Sequence, residues 1–434
     1  MRERTSPAAA PSAAPPSAFW QACAVSFPLR VLRAAGAVLA LFAVVVVIFT
    51  AGAWVGARDP QSLPGPIRDR VVDRKSGGAI SEALGVIRDL YYRDPGEERL
   101  VDDAITGMVE KLDDRFSAYL NPKDYARFQE QQDNRFDGIG VVVREDPLGL
   151  RITQVYDKAP AKAAGLRAGD LIVAADGHRL KGLKADRASD RVRGPAGTSV
   201  RLEVQRRVDG KVRTLRITSK RAPVQIPIVD SRIFREDGEK IGVVRLAQFT
   251  NGATADVGHA LIRMQKRGAK RFVLDLRSNP GGLVTQAQGV ASLFLNGGTI
   301  VTLKGRTVGE QAFEAVGEPV FPKTPLVVLV DRGSASASEI VSGALQDRGR
   351  ATVVGTRTYG KGVFQRVQPL SSGGALDITA GQYFTPKGRN LGGKGTKRGA
   401  GLAPDVTAED DPETPRNEAL EKALEVAAKA KAPR

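Results

Sequence analysis

Histidine is almost missing from the 434 residues: only His178 and His259 occur. A three-histidine zinc site is therefore excluded, and the usual serine–histidine or cysteine–histidine pairing has little to draw on. The single cysteine, Cys23, cannot pair within the chain, so neither a disulfide framework nor a zinc knuckle is possible. Basic tracts of five or more residues are lacking as well, and aromatic residues make up only 6%. A net charge of +17 would otherwise suggest nucleic acid, but scattered cations without interleaved aromatics do not build that interface. No nucleic-acid partner is expected. What is present suits a folded protein: 42% hydrophobic and 26% charged residues, over a length that allows roughly two to four domains.

Charge is absent altogether between Arg33 and Arg58, where 24 residues read AAGAVLALFAVVVVIFTAGAWVGA. As a helix this run would extend roughly 36 Å, enough for a bilayer core of about 30 Å. Residues 1–33 carry four arginines and one glutamate, which orients the run with its N-terminus in the cytoplasm. The expectation is a cytoplasmic disordered tail over 1–33 and a transmembrane anchor over 34–57. A signal cleaved near Val55-Gly56-Ala57 is the alternative. Residues 58–79 read as a linker.

Beyond the linker, Ile80, Leu84, Ile87, Leu90 and Tyr91 fall at helical spacing, as do Leu100, Ile105, Met108, Val109 and Leu112. Asn121-Pro122 starts a third helix, so 80–135 reads as an N-terminal helical region without evident chemistry. At Phe136 the pattern changes to strands. Val141–Val143 and Leu150–Val155 make a hairpin, and KAPAKAAGLRAGDLIVAADGHRL (158–180) gives a short helix, a turn and a buried strand. Strands Val200–Arg206 and Val212–Thr218 meet at Asp209-Gly210. The series resembles a PDZ domain over 136–222, its GLRAGD turn being the most specific element. The resemblance implies that the backbone N–H groups of Gly138, Ile139 and Gly140 receive a peptide's terminal carboxylate while the peptide extends the sheet edge. An ordinary strand-entry turn accounts for the glycines alone.

Residues 223–410 alternate apolar strands with helices, the pattern of an α/β core on a largely parallel sheet. Strand 326–330 turns directly into GSASASEI (333–340). Serine hydroxyls thus stand beside the free N–H groups of a helix start, where a developing anion is favoured. Helix capping by Ser334 or Ser336 explains the same pattern without chemistry. Downstream, Lys361 lies between Gly360 and Gly362, and strand spacing puts Lys361, Val363 and Gln365 on one face. A lysine can act as a base only when neutral, and burial favours that form. With histidine scarce, serine plus lysine is the available nucleophile–base pair.

LDLRSNPGG (274–282), GSASASEIVSGALQDRGRATVVG (333–355), TYGKGVFQ (358–365) and GMVEKLDDRFSAYLNP (107–122) together resemble the carboxy-terminal processing, or tail-specific, proteases. These are Ser–Lys peptidases with an embedded PDZ domain. The resemblance implies Ser336 as nucleophile, Lys361 as base and Gln365 as the residue that orients the lysine. It implies an oxyanion hole at the N–H groups of Gly282 and Ala337, with Gly281, Glu339, Asp347 and Thr358 in support. Ser334 and Ser338 are the competing nucleophiles. No metal and no organic cofactor is implied. The fold expected is a layered α/β core, crotonase- or ClpP-like, with an inserted β-rich PDZ domain and an N-terminal helical unit, after one transmembrane helix. Residues 411–434 read as a charged helical tail. The implied function is a serine endopeptidase of the bacterial inner membrane that cuts unstructured C-terminal tails of exported proteins through an acyl-enzyme. The expected partners are such tails, a second copy of the chain and possible adaptor proteins. The competing readings are a non-catalytic membrane-anchored PDZ scaffold and a crotonase-like acyl-transfer enzyme.

Overall fold

The computed structural model describes residues 65–393 and 399–432, so the tail 1–33 and the apolar run 34–57 lie outside the described residues. Among those described, no helix is long and apolar enough to cross a membrane. The described residues divide into two compact units, with the boundary between Val101 and Asp102. Helix α1 covers Gly65–Leu90 and α2 covers Glu97–Glu110. Much of the stretch expected as a linker is therefore helical. Pro66 suits the first turn of a helix, and no further proline follows until Pro95 to interrupt it. In the first unit Ile80, Val86, Ile87 and Leu90 of α1 stay exposed, with Tyr91 and Tyr92 beyond its end.

In the second unit, strand β1 (Ala118–Leu120) precedes α3 (Pro122–Gln132), whose N-cap Asn121 accepts a hydrogen bond from the Asp124 N–H at 2.9 Å. Strand β2 (Arg135–Gly138) then leads into the PDZ-like unit: β3 (Val141–Asp146), β4 (Gly149–Val155), α4 (Pro160–Ala163), β5 (Leu171–Ala175), β6 (His178–Arg179), α5 (Ala185–Val192), β7 (Ser199–Val208) and β8 (Lys211–Lys220). The strands lie in the order β3-β4-β5-β7-β8, with β6 beside β5. Ile139, Leu150, Ile152, Ile172, Val200 and Val204 form its separate core. Helix α5 has no counterpart in the sequence expectations, because only Ala188 and Val192 of its eight residues are buried and its surface is charged. Strand β9 (Ala222–Gln225) leaves the unit paired antiparallel with β2, so entry and exit form one ribbon.

The core is built from β10 (Val229–Glu236), β11 (Glu239–Leu246), α6 (Ala253–Lys266), β12 (Arg271–Asp275), α7 (Val284–Ser292), β13 (Thr299–Gly305), β14 (Gly309–Glu314), β15 (Leu326–Val330), α8 (Ala337–Asp347), β16 (Thr352–Gly355), β17 (Val363–Pro369), β18 (Ala375–Phe384), β19 (Val406–Thr407) and α9 (Glu418–Lys429). One sheet runs β10-β11-β12-β15-β16-β19 and is parallel except at the β10 edge. All five residues of β15 are buried, as a strand covered on both faces requires. Leu326, Val328 and Val330 face a cluster formed with α6, α7 and α8. Val327 and Leu329 face the other way, onto Ala419, Ala423, Leu424 and Ala427 of α9. The helix expected within 411–434 is α9, which packs on this face. Its alanine-rich stripe closes the second face of the sheet. Replacing the fully buried Ala423 by aspartate places an unpaired charge there, a cost of several kcal/mol. Circular dichroism melting should show a midpoint lower by roughly 5–10 °C.

A second, antiparallel sheet runs β1-β18-β13-β14 with β17 also on β18, and the sequence pattern did not reveal it. Eight of the ten residues of β18 are half-buried and only Ala375 and Tyr383 are buried, so no clean alternation marks it. The helical region supplies its edge: Ala118, Tyr119 and Leu120 pair with Asp377, Leu376 and Ala375.

Candidate active site

Two loops meet at the ends of parallel strands β12 and β15. The first, Arg277–Gly282, follows β12; the second, Asp331–Ser336, joins β15 to α8. Asp331 binds them together, accepting from the Ser278 N–H at 2.8 Å and the Gly333 N–H at 2.9 Å through the same oxygen. Asn279, fully buried, binds them again. Its carbonyl accepts from the Ala335 N–H at 3.0 Å and the Ser338 hydroxyl at 2.9 Å, while its side-chain oxygen accepts from the Gly281 N–H at 2.9 Å. Gly281 has φ +104, and a Cβ there would lie 2.8 Å from Ser336 Cβ and 2.9 Å from the Ala337 nitrogen. Glycine is required by both backbone angle and space. Gly282, at φ +137, lies against the Phe249 carbonyl, where a Cβ would come within 2.3 Å. Among the described residues, neither the Gly282 N–H nor the Ala337 N–H donates a backbone hydrogen bond. Ala337 is the first residue of α8, whose leading N–H groups have no partner within the helix. The Ala337 N–H thus directly follows Ser336, and Gly281, the neighbour of Gly282, packs against the Ser336 side chain.

The three serines of the turn differ sharply. Ser334 is fully buried, donating to the Leu276 carbonyl at 2.8 Å and accepting from the Asp331 N–H at 2.9 Å. Ser338 is also fully buried on Asn279. Only Ser336 is partly exposed, and it sits at φ 54 and ψ −113, an orientation that costs a non-glycine residue about 1–3 kcal/mol.

Glu339 connects this turn to Lys361. Its fully buried carboxylate accepts from the Ser336 N–H at 2.9 Å and the Lys361 N–H at 3.0 Å through one oxygen. Through the other it accepts from the Thr358 hydroxyl at 2.6 Å and the Gly360 N–H at 2.8 Å. The buried Tyr383 hydroxyl adds a bond at 3.2 Å. Burial pushes the Glu339 carboxyl above its ordinary range, and these donors act in the opposite direction. One carboxylate therefore sets the backbone of both residues. Thr358 extends the network by accepting from the Leu402 N–H at 2.7 Å.

Lys361 itself is not in a strand, since β17 begins two residues later. Gly360, at φ +85, is closed in by the Gly399 carbonyl, and a Cβ on Gly362 would come within 2.4 Å of the Gly392 nitrogen. That tight bend replaces the shared strand face expected for Lys361, Val363 and Gln365. The Lys361 amine stands 5.0 Å from the centre of the Phe116 ring. Burial lowers its pKa below the ordinary 10.5, opposed by the charges of Asp377, Asp114 and Glu339. Gln365 donates to the Thr379 hydroxyl at 3.2 Å. Among the described residues, no hydrogen bond joins the Ser336 hydroxyl or the Gln365 amide to the Lys361 amine.

Asp347 lies at the far end of α8, where it accepts from the Lys387 N–H at 2.9 Å and pairs with Arg389. It anchors that loop and is not part of the Ser336 cluster. His178 and His259 are both exposed, on β6 and α6. Tyr383, Asn279, Asp331 and Phe116 escaped the sequence reading, because each gains its place only through chain-distant packing. Among the described residues, no group of His, Cys, Asp or Glu is arranged to hold a metal.

In the PDZ-like unit, β3 has β4 on one side only. A groove of about 260 Å³ runs beside it, lined by Ile139, Gly140, Val141, Val143 and by Ser189 and Val192 of α5. Gly140 has φ +78, and a Cβ there would meet the Ala159 side chain at 2.3 Å. Gly138 belongs to β2, paired with Ala222.

Residues 240–408 match the model of Peptidase family S41, residues 151–206 a PDZ domain, and residues 69–124 the Activating protease CtpB N-terminal domain. A carboxy-terminal-processing protease of Bartonella bacilliformis is 37% identical over 328 residues, covering 74% of this chain and 73% of that protein. The chain belongs to peptidase family S41. A carboxyl-terminal-processing protease of a Picosynechococcus species is 35% identical over 330 residues, covering 75% and 78% of the two chains. Among solved structures, a photosystem II D1 C-terminal processing protease is 31% identical, with a TM-score of 0.46 over 80% of this chain and 90% of that one. This S41 member is accordingly a serine-type peptidase with a PDZ domain set between its N-terminal helices and its α/β core.

Proposed function

We propose that this S41 peptidase trims the C-terminal tails of exported proteins with Ser336 as nucleophile and Lys361 as base. One observation carries the reading: Ser336 is the only partly exposed serine of its turn, and Glu339 holds its backbone and that of Lys361 on one oxygen. In this reading an unstructured tail enters the groove beside β3, adds a strand to that edge and sets its carboxylate near the N–H groups of Ile139 and Gly140. Neutral Lys361 takes the proton of Ser336, whose oxygen attacks the peptide carbonyl. The oxyanion lies on the Gly282 and Ala337 N–H groups. Lysine returns the proton to the leaving amine, and water releases the acyl group. The amine must swing from the Phe116 ring to Ser336 for this to occur. The core's layers correspond to a crotonase- or ClpP-like arrangement in this proposal. The run 34–57 would tether the enzyme to the bacterial inner membrane with its catalytic part in the periplasm, or be cleaved as a signal. The exposed stripe of α1 suits a second copy of the chain or an adaptor.

The test is a set of unstructured peptides with free or amidated C-termini, incubated with the purified protein and read by mass spectrometry. Cleavage within the tail that weakens on amidation supports the proposal. Binding without any cleavage at any pH would return the chain to a scaffold role. The reaction should also speed up with rising pH, because only neutral Lys361 is active. Its depressed pKa places the midpoint of kcat/KM below 10.5, whereas a profile flat from pH 6 to 9 would exclude lysine as the base.

A further inference from the structure

The Lys361 amine is surrounded by groups that no part of the serine chemistry uses. The loop before β1 sets the Phe116 ring 5.0 Å from it, and the charges of Asp114 on that loop and Asp377 on β18 act on it without an ion pair closer than 4.0 Å. The loop is sewn to that strand. Ala118 pairs with Asp377, and the Thr379 N–H donates to the Ser117 hydroxyl at 3.0 Å. The Ser117 hydroxyl in turn donates to Asp114 at 2.6 Å, and the Phe116 N–H donates to Asp114 at 3.0 Å.

The two carboxylates differ. Asp114 is well supplied with donors and its pKa is held below the ordinary range, so it stays ionised. Asp377 is the opposite: one of its oxygens is buried without a hydrogen-bond partner, and burial pushes its carboxyl upward. A buried acceptor with no donor beside a buried cation is a vacant place for that cation's proton. The aromatic face adds attraction for an ammonium group, worth about 0.5–2 kcal/mol. The remaining ionisable groups are otherwise engaged. Glu339 is saturated by its own donors. Arg115 donates to the Tyr359 hydroxyl at 2.9 Å, with its guanidinium 5.4 Å from the Phe116 ring. Tyr383 is turned to Glu339 and to the Lys361 carbonyl.

We propose that Asp114 and Asp377 form a two-carboxylate seat that holds the Lys361 amine, as its ammonium, against the Phe116 ring. The lysine leaves this seat to serve Ser336. Both acids are positioning residues, acting through Lys361. The inference rests on Lys361 being the base in the proposed function, and its test is separable from that reading.

The full chain is reacted with acetic anhydride across a pH series, and acetylation of Lys361 is followed by peptide mass spectrometry. Ser336→Ala serves as the background, which prevents self-cleavage. Asp377→Asn removes one charge that stabilises the ammonium, so the midpoint for labelling should fall by about one pH unit. Below both midpoints this appears as about tenfold faster acetylation. Asp377→Glu should restore the midpoint, which a merely structural role would not predict. Asp114→Asn gives the same reading from the other carboxylate, should Asp377→Asn not fold. Midpoints unchanged in both asparagine variants would overturn the seat while leaving the dyad intact. Shifted midpoints, with peptide cleavage unaffected by Ser336→Ala, would retain the seat and remove the dyad.

Discussion

Ser336→Ala should lower kcat for peptide cleavage by at least about four orders of magnitude, because in the proposed mechanism it removes the atom that forms the acyl-enzyme. Binding of a tail peptide, followed by fluorescence anisotropy, should stay within about twofold of wild type, since the groove beside β3 belongs to the PDZ unit with its own core. The neighbouring serines provide the control. Ser334→Ala removes the hydroxyl that bridges Leu276 and Asp331, and Ser338→Ala removes the bond to Asn279. Each should cost about 1–3 kcal/mol of stability, because a buried partner is left unsatisfied. Each should retain cleavage at temperatures where the fold persists. Full activity in Ser336→Ala together with loss in either neighbour would reassign the nucleophile.

The second large effect is expected at a residue that never meets the substrate. Glu339→Gln preserves shape but replaces one carboxylate oxygen by an NH2 group. In either orientation that group confronts at least two donors: Ser336 and Lys361 N–H on one side, or Thr358 hydroxyl and Gly360 N–H on the other. The turn and the lysine loop can no longer share one anchor. A misplacement of about 1 Å is enough to lower kcat about a hundredfold. KM should change little, because the groove proposed for the tail lies elsewhere. Steady-state kinetics separates the two constants, and a variant with unchanged kcat would show that Glu339 does not hold the site together. Glu339→Asp should recover little, as the shorter side chain cannot reach both loops at once.

Much of the plan is legible from local pattern. Asn121-Pro122, the hairpin at Asp209-Gly210 and the unbroken apolar run Leu326–Val330 all appear where the sequence puts them, because caps, tight turns and fully covered strands leave signals within a few residues. The scarcity of histidine likewise excludes the familiar pairings before any fold is known, and it directs attention to Ser336 and Lys361. The antiparallel sheet, α5 and the role of α9 were hidden. Their residues are half-exposed or alanine-rich, and their meaning depends on what covers them.

The candidate site divides in the same way. The sequence alone determined which residue types are available and that a glycine-bounded lysine follows a serine-rich helix start. The tertiary structure decided which serine stays accessible, by burying Ser334 and Ser338 in bonds to Leu276 and Asn279. It also decided that Glu339 is a shared anchor and that the Lys361 amine faces the Phe116 ring, where the charges of Asp114 and Asp377 act on it. Those partners are separated along the chain by up to 263 positions, from Asp114 to Asp377. Hydrogen bonding and burial act over a few ångströms in space, so no spacing rule along a sequence can register them until the sheet of β1 and β18 has formed.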